Sequence, residues 1–327
     1  MSGNHNNSLE RALSLVDVAA DAGVDAIKLQ TYKPDTITLD IRENEFVIND
    51  TNSIWHGKSL YDLYSEGSTP WSWHKDLFEA AEKRGLICFS SPFDETAIQF
   101  LESLNVPAYK VASPEIVDHG LIRTIARTRK PVIISTGMAT FQEINDAINI
   151  CYGEGNNKIA LLQCTSSYPS SPKYSNISTI VDMREKFKCE IGLSDHTLGI
   201  GAAIASVSMG SSIIEKHFTL SRSEGGIDSA FSLEPDELKQ LVIESKRAWQ
   251  SIGKVNYGAN DSDKDSLKYR RSLYACDDIK KGEKFTSKNV KSIRPGLGLH
   301  TRYLDEILGS VSKENILKGT PISKSMF

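Results

Sequence analysis

The chain is 327 residues long, enough for two domains or for one barrel with an appendage. Hydrophobic residues make up 39% and charged residues 24%, the balance of a folded globular chain rather than a disordered or collagen-like one. Its 38 basic and 42 acidic residues leave a net charge of −4, which offers nucleic acid no global positive field, and no apolar run approaches the roughly 20 residues that span a bilayer.

The first residues, Met1-Ser2-Gly3-Asn4-His5-Asn6-Asn7, hold neither a signal-peptide pattern nor a strand. A helical pattern covers residues 8–22. From there, short runs rich in Val and Ile recur at 26–29, 86–89, 108–112, 132–135, 159–163, 191–193 and 212–215. They are too short for helices and apolar on both faces, as parallel strands covered on both sides must be. Helical patterns at 73–84, 94–104, 121–127, 141–151, 177–187 and 200–209 fall between them, and one at 234–252 follows the last. Seven strand-then-helix units predict a (β/α) barrel, with a doubly wound sheet as the alternative. After residue 252 the pattern fades into a stretch rich in Asn, Asp, Gly and Lys. The tail then alternates strand-like runs at 272–276, 280–283, 290–293 and 318–321 with turns. The expected division is a barrel over 1–254, a linker over 255–266 and a small β-rich domain over 267–327. A domain that small is expected to pack against the barrel or another subunit.

Polar residues stand at the C-terminal end of nearly every run, and in a parallel barrel those ends converge on one face, where the loops build the site. His196 and His217 end successive predicted strands, so one βα unit brings their rings together; two neutral imidazoles suit Mn²⁺, Co²⁺, Zn²⁺ or a similar Lewis acid. Two separate hydrogen-bonded histidines are the plain alternative. Asp195 is a candidate partner for one ring or a third ligand. Lys28 and Lys110 end strands beside Ser91, Ser113, Ser135 and Thr136, a cradle for a small phosphorylated anion. The competing readings are that these lysines pair with Glu115 and Glu215, or that one of them forms a Schiff base. Cys164 ends a strand without triad spacing and reads as a packed thiol. The aromatic set Trp55, Tyr61, Tyr64, Trp71, Trp73 and His74 reads as a wall over the site rather than mere cover of a barrel end. Five scattered cysteines without metal or disulfide spacing fit a reduced cytoplasm.

These residues, taken together, resemble the sialic acid synthase family. The resemblance is carried by Asn4-His5-Asn6, Lys28-Leu29-Gln30, Ser90-Ser91-Pro92-Phe93, Tyr109-Lys110, Ser135-Thr136-Gly137-Met138, Gly192-Leu193-Ser194-Asp195-His196-Thr197 and Glu215-Lys216-His217-Phe218. The run Ile293-Arg294-Pro295-Gly296 is similar to that family's C-terminal antifreeze-like (SAF) domain. Residues 69–74 and 226–234 are most similar to the branch that makes pseudaminic acid; the N-acetylneuraminate and legionaminic acid branches are the alternatives.

The resemblance implies an α/β chain with a (β/α)8 TIM barrel and a small SAF domain. It implies a metal-dependent transferase that condenses phosphoenolpyruvate with a six-carbon amino sugar, here 2,4-diacetamido-2,4,6-trideoxy-L-altrose, and releases phosphate. His196 and His217 would hold the divalent cation, Mn²⁺ with Co²⁺ or Mg²⁺ as alternates. Lys28, Lys110, Ser91, Ser113, Ser135, Thr136 and Ser194 would hold phosphoenolpyruvate. Gln30, Glu115, Tyr168 and Asp228 would contact the sugar or move protons, with Lys28, Lys110, Glu115 and Asp228 as the catalytic set. Arg294 would reach the sugar in a partner's barrel, implying a swapped homodimer in the cytoplasm that binds neither nucleic acid nor membrane. Family chains begin with an apolar strand ending in Ala-Glu just before the Asn-His motif, so the expectation is a barrel without its first strand and that glutamate. An internal methionine taken as the start is the expected reason. Weak activity, or an inactive sugar-binding remnant, is the corresponding alternative.

Overall fold

Seven of the Val- and Ile-rich runs form strands: β1 (Ala26–Thr31), β2 (Ile87–Pro92), β3 (Tyr109–Val111), β4 (Val132–Ser135), β5 (Ile159–Cys164), β6 (Glu190–Asp195) and β7 (Ile214–Lys216). They come from a computed structural model that describes every residue from Met1 to Phe327. All seven pair in parallel, each with its sequence neighbour, in the order β1 to β7. The sheet curls until its two ends meet. Lys28 Nζ on β1 donates to Glu215 Oε1 on β7 at 2.6 Å, although the two strands share no backbone ladder. The barrel expectation therefore holds in a seven-stranded form that is open between β1 and β7.

The helices are α1 (Leu9–Ala22), α2 (Pro34–Ile37), α3 (Leu60–Gly67), α4 (His74–Lys83), α5 (Glu95–Ser103), α6 (His119–Arg127), α7 (Phe141–Gly153), α8 (Thr179–Phe187), α9 (Gly201–Ser208) and α10 (Pro235–Ile252). Their starts follow local chemistry. Ser8, Asp94 and Asp118 accept from backbone N–H groups of the first turns of α1, α5 and α6, and Thr140 with Glu143 forms a capping box on α7. In α6 the buried residues are Leu121, Ile122, Ile125 and Ala126, one apolar stripe at helical spacing. Such stripes meet the outward face of the sheet, where Tyr109, Val111, Val132, Ile134, Ile159, Leu161, Ile191 and Leu193 form a single buried cluster. A second cluster joins Leu15, Val16 and Ala19 of α1 to Ile27 and Leu29 of β1, and α1 packs directly on α10.

The strand register decides what faces the interior. Lys28 lies opposite Phe89 and Gln30 opposite Ser91; Ser135 is opposite Leu162, Cys164 opposite Ser194, and Ser194 opposite Glu215. With side chains alternating every residue, these positions share the inner face while their neighbours join the outer core. Gly192 sits in this layer because a Cβ there would stand 2.3 Å from the Ile213 carbonyl oxygen, a distance no larger residue tolerates.

The chain divides into two units, Met1–Gly253 and Lys254–Phe327. The second begins earlier than the expected boundary, and the stretch taken as linker includes part of a 3-10 helix at Asp261–Tyr269. Of four strand-like runs expected in the tail, two are strands: β8 (Ser272–Ala275) and β9 (Val290–Ile293) form an antiparallel pair. Of the other two, 318–321 makes one isolated bridge, from Pro321 to Tyr274, and 280–283 makes none, the bridges falling on the flanking Ile279 (with Ile316) and Lys284 (with Val311). Leu273, Ile279, Phe285, Val290, Ile316 and Ile322 build this unit's own core, closed by Ile307 of α11 (Leu304–Ile307). No helix of either unit is long and apolar enough to cross a membrane.

Candidate active site

The C-terminal strand ends gather the reactive side chains, as expected of a parallel barrel. Lys110 is fully buried on the inner face, where its Nζ donates to Ser135 Oγ at 2.7 Å and to the Val111 carbonyl at 2.9 Å. Burial pushes its ammonium down to about 8. Lys28 instead pairs with Glu215, so the reading in which a lysine meets a carboxylate holds for Lys28 and not for Lys110. Ser194 Oγ also donates to Glu215 Oε1, at 3.2 Å. Burial opposes ionisation of Glu215, but Lys110 and Lys28 outweigh it and hold the carboxyl far below its ordinary value.

Next to the lysines lies a row of hydroxyls. Ser91 Oγ is buried without a hydrogen-bond partner, an unfilled donor facing the interior. Ser166 Oγ donates to Ser113 Oγ at 3.2 Å, and both crowd Gly137, where a Cβ would stand 1.5 Å from Ser113 Oγ. Gly137 adopts φ +37°, so the turn after β4 depends on its lacking a side chain. Thr136 is turned away, its Oγ1 donating to the Leu162 carbonyl at 3.1 Å. It shapes the turn rather than presenting a free donor.

The rings of His196 and His217 are 5.2 Å apart between centroids, as the strand-end spacing predicts. His196 Nδ1 donates to the Thr165 carbonyl at 2.8 Å, which leaves Nε2 as the free acceptor. Burial, reinforced by His217, lowers His196 to about 3, so its imidazole is neutral at physiological pH. His217 Nδ1 is buried and makes no hydrogen bond; Asp228 Oδ2 lies 3.5 Å away, within ion-pair range only. Burial also opposes ionisation of Asp228, yet His217 and a bond from the Ser2 hydroxyl hold its carboxyl below the usual range. A neutral imidazole with a free nitrogen and a second with an orphaned buried nitrogen fit a divalent cation as a two-histidine donor set. No group of three or more His, Cys, Asp or Glu side chains is arranged to complete one. Asp195, expected as ring partner or third ligand, points the other way: strand alternation puts it outside, paired with Lys216 at 2.9 Å.

Around the two imidazoles stands an aromatic collar. Tyr168 lies 4.6 Å from His196, Phe231 5.0 Å from His217, and Trp55 5.7 Å from Tyr168, with Trp55 Nε1 donating to the Ile227 carbonyl at 3.0 Å. The expected aromatic wall is thus only part of the set. Trp55 belongs to it, whereas Trp71 stacks on Phe100, Trp73 meets His5 edge-on, and His74 Nε2 meets Thr31 Oγ1 at 2.7 Å. Gln30 Oε1 accepts from Ser2 Oγ at 2.9 Å. Glu115 follows β3 on a 3-10 turn; burial raises it to about 7, and its Oε2 has no partner. Cys164 is buried with its thiol pushed up by desolvation, in keeping with a packed residue. Arg294 lies in the second unit, exposed at the end of β9.

The residues that sequence reasoning missed are Ser166, Ser2 and Phe231, together with Glu215 in a positive role. Glu215 was within reach, since it stands two residues before His217 as Ser194 stands two before His196. Ser166 lies on a loop, and Ser2 and Phe231 lie in short 3-10 turns, so none carries a periodic signal.

A curled parallel sheet whose strand ends gather two lysines, a row of hydroxyls and two imidazoles defines a barrel with a polar site of the kind enzymes build at that face. The chain matches the NeuB family model over residues 15–257 and the SAF domain model over residues 270–327, and it belongs to the NeuB family. It is 43% identical to the pseudaminic acid synthase of Campylobacter jejuni subsp. jejuni serotype O:23/36 (strain 81-176), over 100% of this chain and 95% of that one. It is 42% identical to the pseudaminic acid synthase of Helicobacter pylori (strain ATCC 700392 / 26695), over 99% and 95% of the two chains. Among solved structures, the N-acetylneuraminic acid synthetase of Leptospira borgpetersenii serovar Hardjo-bovis in complex with citrate superposes with a TM-score of 0.71. It is 31% identical and covers 82% of this chain and 88% of that one.

Proposed function

We propose that the chain is a pseudaminic acid synthase, condensing phosphoenolpyruvate with 2,4-diacetamido-2,4,6-trideoxy-L-altrose and water to give pseudaminic acid and phosphate. The observation that carries this reading is the likeness along the whole chain to two proteins named for that activity. Lys110 and Lys28 supply the positive charge for phosphoenolpyruvate, with Ser91, Ser113, Ser135, Ser166 and Ser194 as hydroxyl donors. The incoming anion displaces Glu215 from Lys28 or shares that ammonium with it.

His196 and His217 would hold a divalent cation, Mn²⁺ first among the candidates, which would supply Lewis-acid polarisation of the open-chain aldehyde. Carbon 3 of phosphoenolpyruvate attacks that aldehyde carbon, and the aldehyde oxygen takes a proton. Water then adds at carbon 2 and loses a proton, and the C–O bond to phosphate breaks. Glu115, protonated below about 7, is the group suited to give the first proton. Asp228, held ionised, suits contact with the sugar hydroxyls. Gln30 shares the Ser2 hydroxyl with it, and Tyr168 stands beside His196. Arg294 of a second copy would complete the sugar site in a homodimer, on the strength of the family resemblance. Free cysteines throughout accord with a cytoplasmic setting.

The test is phosphate release from phosphoenolpyruvate with Mn²⁺ and the diacetamido-trideoxy-altrose, compared with N-acetylmannosamine. Release with the first sugar at no less than ten times the rate of the second is expected. Release with neither overturns the synthase reading. The sign of the Glu115 effect is also set. Because its carboxyl must be protonated to donate, kcat/KM should fall as pH rises through about 7. Glu115→Gln should lower kcat by roughly 10²-fold, the usual contribution of a positioned proton donor, and abolish that limb of the pH profile. A limb that persists in the variant removes Glu115 from the role.

A further inference from the structure

Backbone pairing between β6 and β7 ends at Asp195 opposite Lys216. His196 and His217 are each the next residue along, so the ladder stops just short of both imidazoles. At that last rung, on the outside of the barrel, the Asp195 carboxylate and the Lys216 ammonium meet at 2.9 Å with both side chains 2% exposed. Lys216 Nζ also donates to the Thr197 carbonyl at 2.5 Å. Thr197 returns two bonds to the carboxylate, from its N–H to Oδ1 at 3.0 Å and from its hydroxyl to Oδ2 at 3.1 Å. The pair thus ties the residue before His217 to the residues on both sides of His196, without touching either ring.

Stability gives little reason for such an arrangement, because two charges taken out of water are often replaced by apolar side chains without loss. What the pair does hold is geometry. It extends the β6–β7 junction by one side-chain rung beyond the backbone ladder, at the point where two rings on separate strands must keep one spacing. The remaining anchors act on one histidine each: the Thr165 carbonyl on the His196 ring, and the Leu233 N–H on the His217 carbonyl at 2.9 Å. Phe231 packs against both rings, 6.1 Å from His196 and 5.0 Å from His217, but the Asp195–Lys216 pair is what links the two strand ends by charge and hydrogen bonds.

We infer that Asp195 and Lys216 are positioning residues that set the relative placement of His196 and His217 for the reaction at the strand ends. This rests on the synthase reading and on the two histidines as a cation-binding pair. The experiment replaces the pair by an apolar one, Asp195→Leu with Lys216→Met, since a single replacement would leave one charge buried and unpaired. Mn²⁺ binding is followed by electron paramagnetic resonance without substrates, and turnover by phosphate release.

The double variant should fold, melting a few degrees below the wild type because the buried Thr197 N–H, hydroxyl and carbonyl lose their partners. It should bind Mn²⁺ at least tenfold more weakly and lose 10- to 100-fold in kcat, the usual scale for groups that orient metal ligands, with the KM for phosphoenolpyruvate unchanged. If it does not fold, Asp195→Asn with Lys216→Met, which keeps an acceptor for the Thr197 N–H, takes its place with the same expectation. A folded double variant with wild-type Mn²⁺ affinity and kcat overturns the inference, and so does a wild type that binds no Mn²⁺. A wild type that binds Mn²⁺ but releases no phosphate overturns the synthase reading instead, and the Mn²⁺ titration still decides the role of the pair.

Discussion

His217→Gln and His196→Gln should each reduce kcat by about a thousandfold or more and weaken Mn²⁺ binding in parallel, while the fold survives. The magnitude follows from the donor count. If the two imidazoles are the protein's ligands, as proposed, each substitution removes half of them; no group of three or more His, Cys, Asp or Glu side chains is arranged as a metal site. Polarisation of a carbonyl by a bound cation is worth several kcal/mol in the transition state, and each 1.4 kcal/mol is a factor of ten. The two variants should nevertheless differ. His196 Nδ1 is committed to the Thr165 carbonyl, so glutamine there also loses an anchor of the 165–170 loop and Tyr168 with it. His217 Nδ1 has no such bond, and its replacement should leave thermal stability closer to the wild type. Added chelator should abolish wild-type turnover and leave the residual rate of either variant unchanged. Full activity in EDTA, or either variant within tenfold of wild type, would remove the cation from the mechanism.

Lys110→Met should lower kcat/KM for phosphoenolpyruvate by about a thousandfold with little change in the KM for the sugar. Its ammonium is fully buried, and burial has already brought it down to about 8. Arrival of a multiply charged anion restores the preference for the charged form, so the proton is held once the substrate is bound. In the free enzyme the ordering runs the other way. Above about pH 8 Lys110 loses its proton, and kcat/KM for phosphoenolpyruvate should decline with that ionisation, whereas the methionine variant should show no such limb. Methionine nearly matches the lysine in volume, so the variant should fold, melting lower than the wild type because the Val111 carbonyl and Ser135 lose their donor and Glu215 one of its two cations. The loss is one of charge-assisted binding in a dry site, worth roughly 4 kcal/mol for a thousandfold change. Competition titrations with phosphate ion would separate it from a folding defect: a wild-type phosphate affinity in Lys110→Met would overturn the assignment.

Much of this was legible in the residues themselves, and the alternation of polar and apolar positions explains why. A strand buried on both faces must send Leu161 and Leu193 to the helices and Cys164 and Ser194 inward. Once the run of strands is recognised, the polar residues at its ends are candidates for the site. His196, His217, Lys28 and Lys110 announce themselves in that way, as does Glu215 by its phase with Ser194. Thr136 does not. It stands among the same hydroxyls in sequence, and only the turn at Gly137 shows its donor spent on the Leu162 carbonyl. The tail misled for a related reason. Short strand-like runs at 280–283 and 318–321 have the right composition, but only isolated bridges form at or beside them, in place of ladders.

By itself, then, the sequence determined the parallel barrel, the division into two units and the chemical character of the strand ends. Each of these follows from local period and composition, which every residue carries with it. Tertiary structure alone decided the partners. It set Lys28 on Glu215, left Lys110 among hydroxyls, turned Asp195 outward to Lys216, raised Glu115 to about 7 and brought Ser166 to Ser113. The reason is physical. Register and burial depend on how separate strands meet, and a charge's partner and pKa depend on groups tens or hundreds of residues away, so neither can be read from a residue and its chain neighbours.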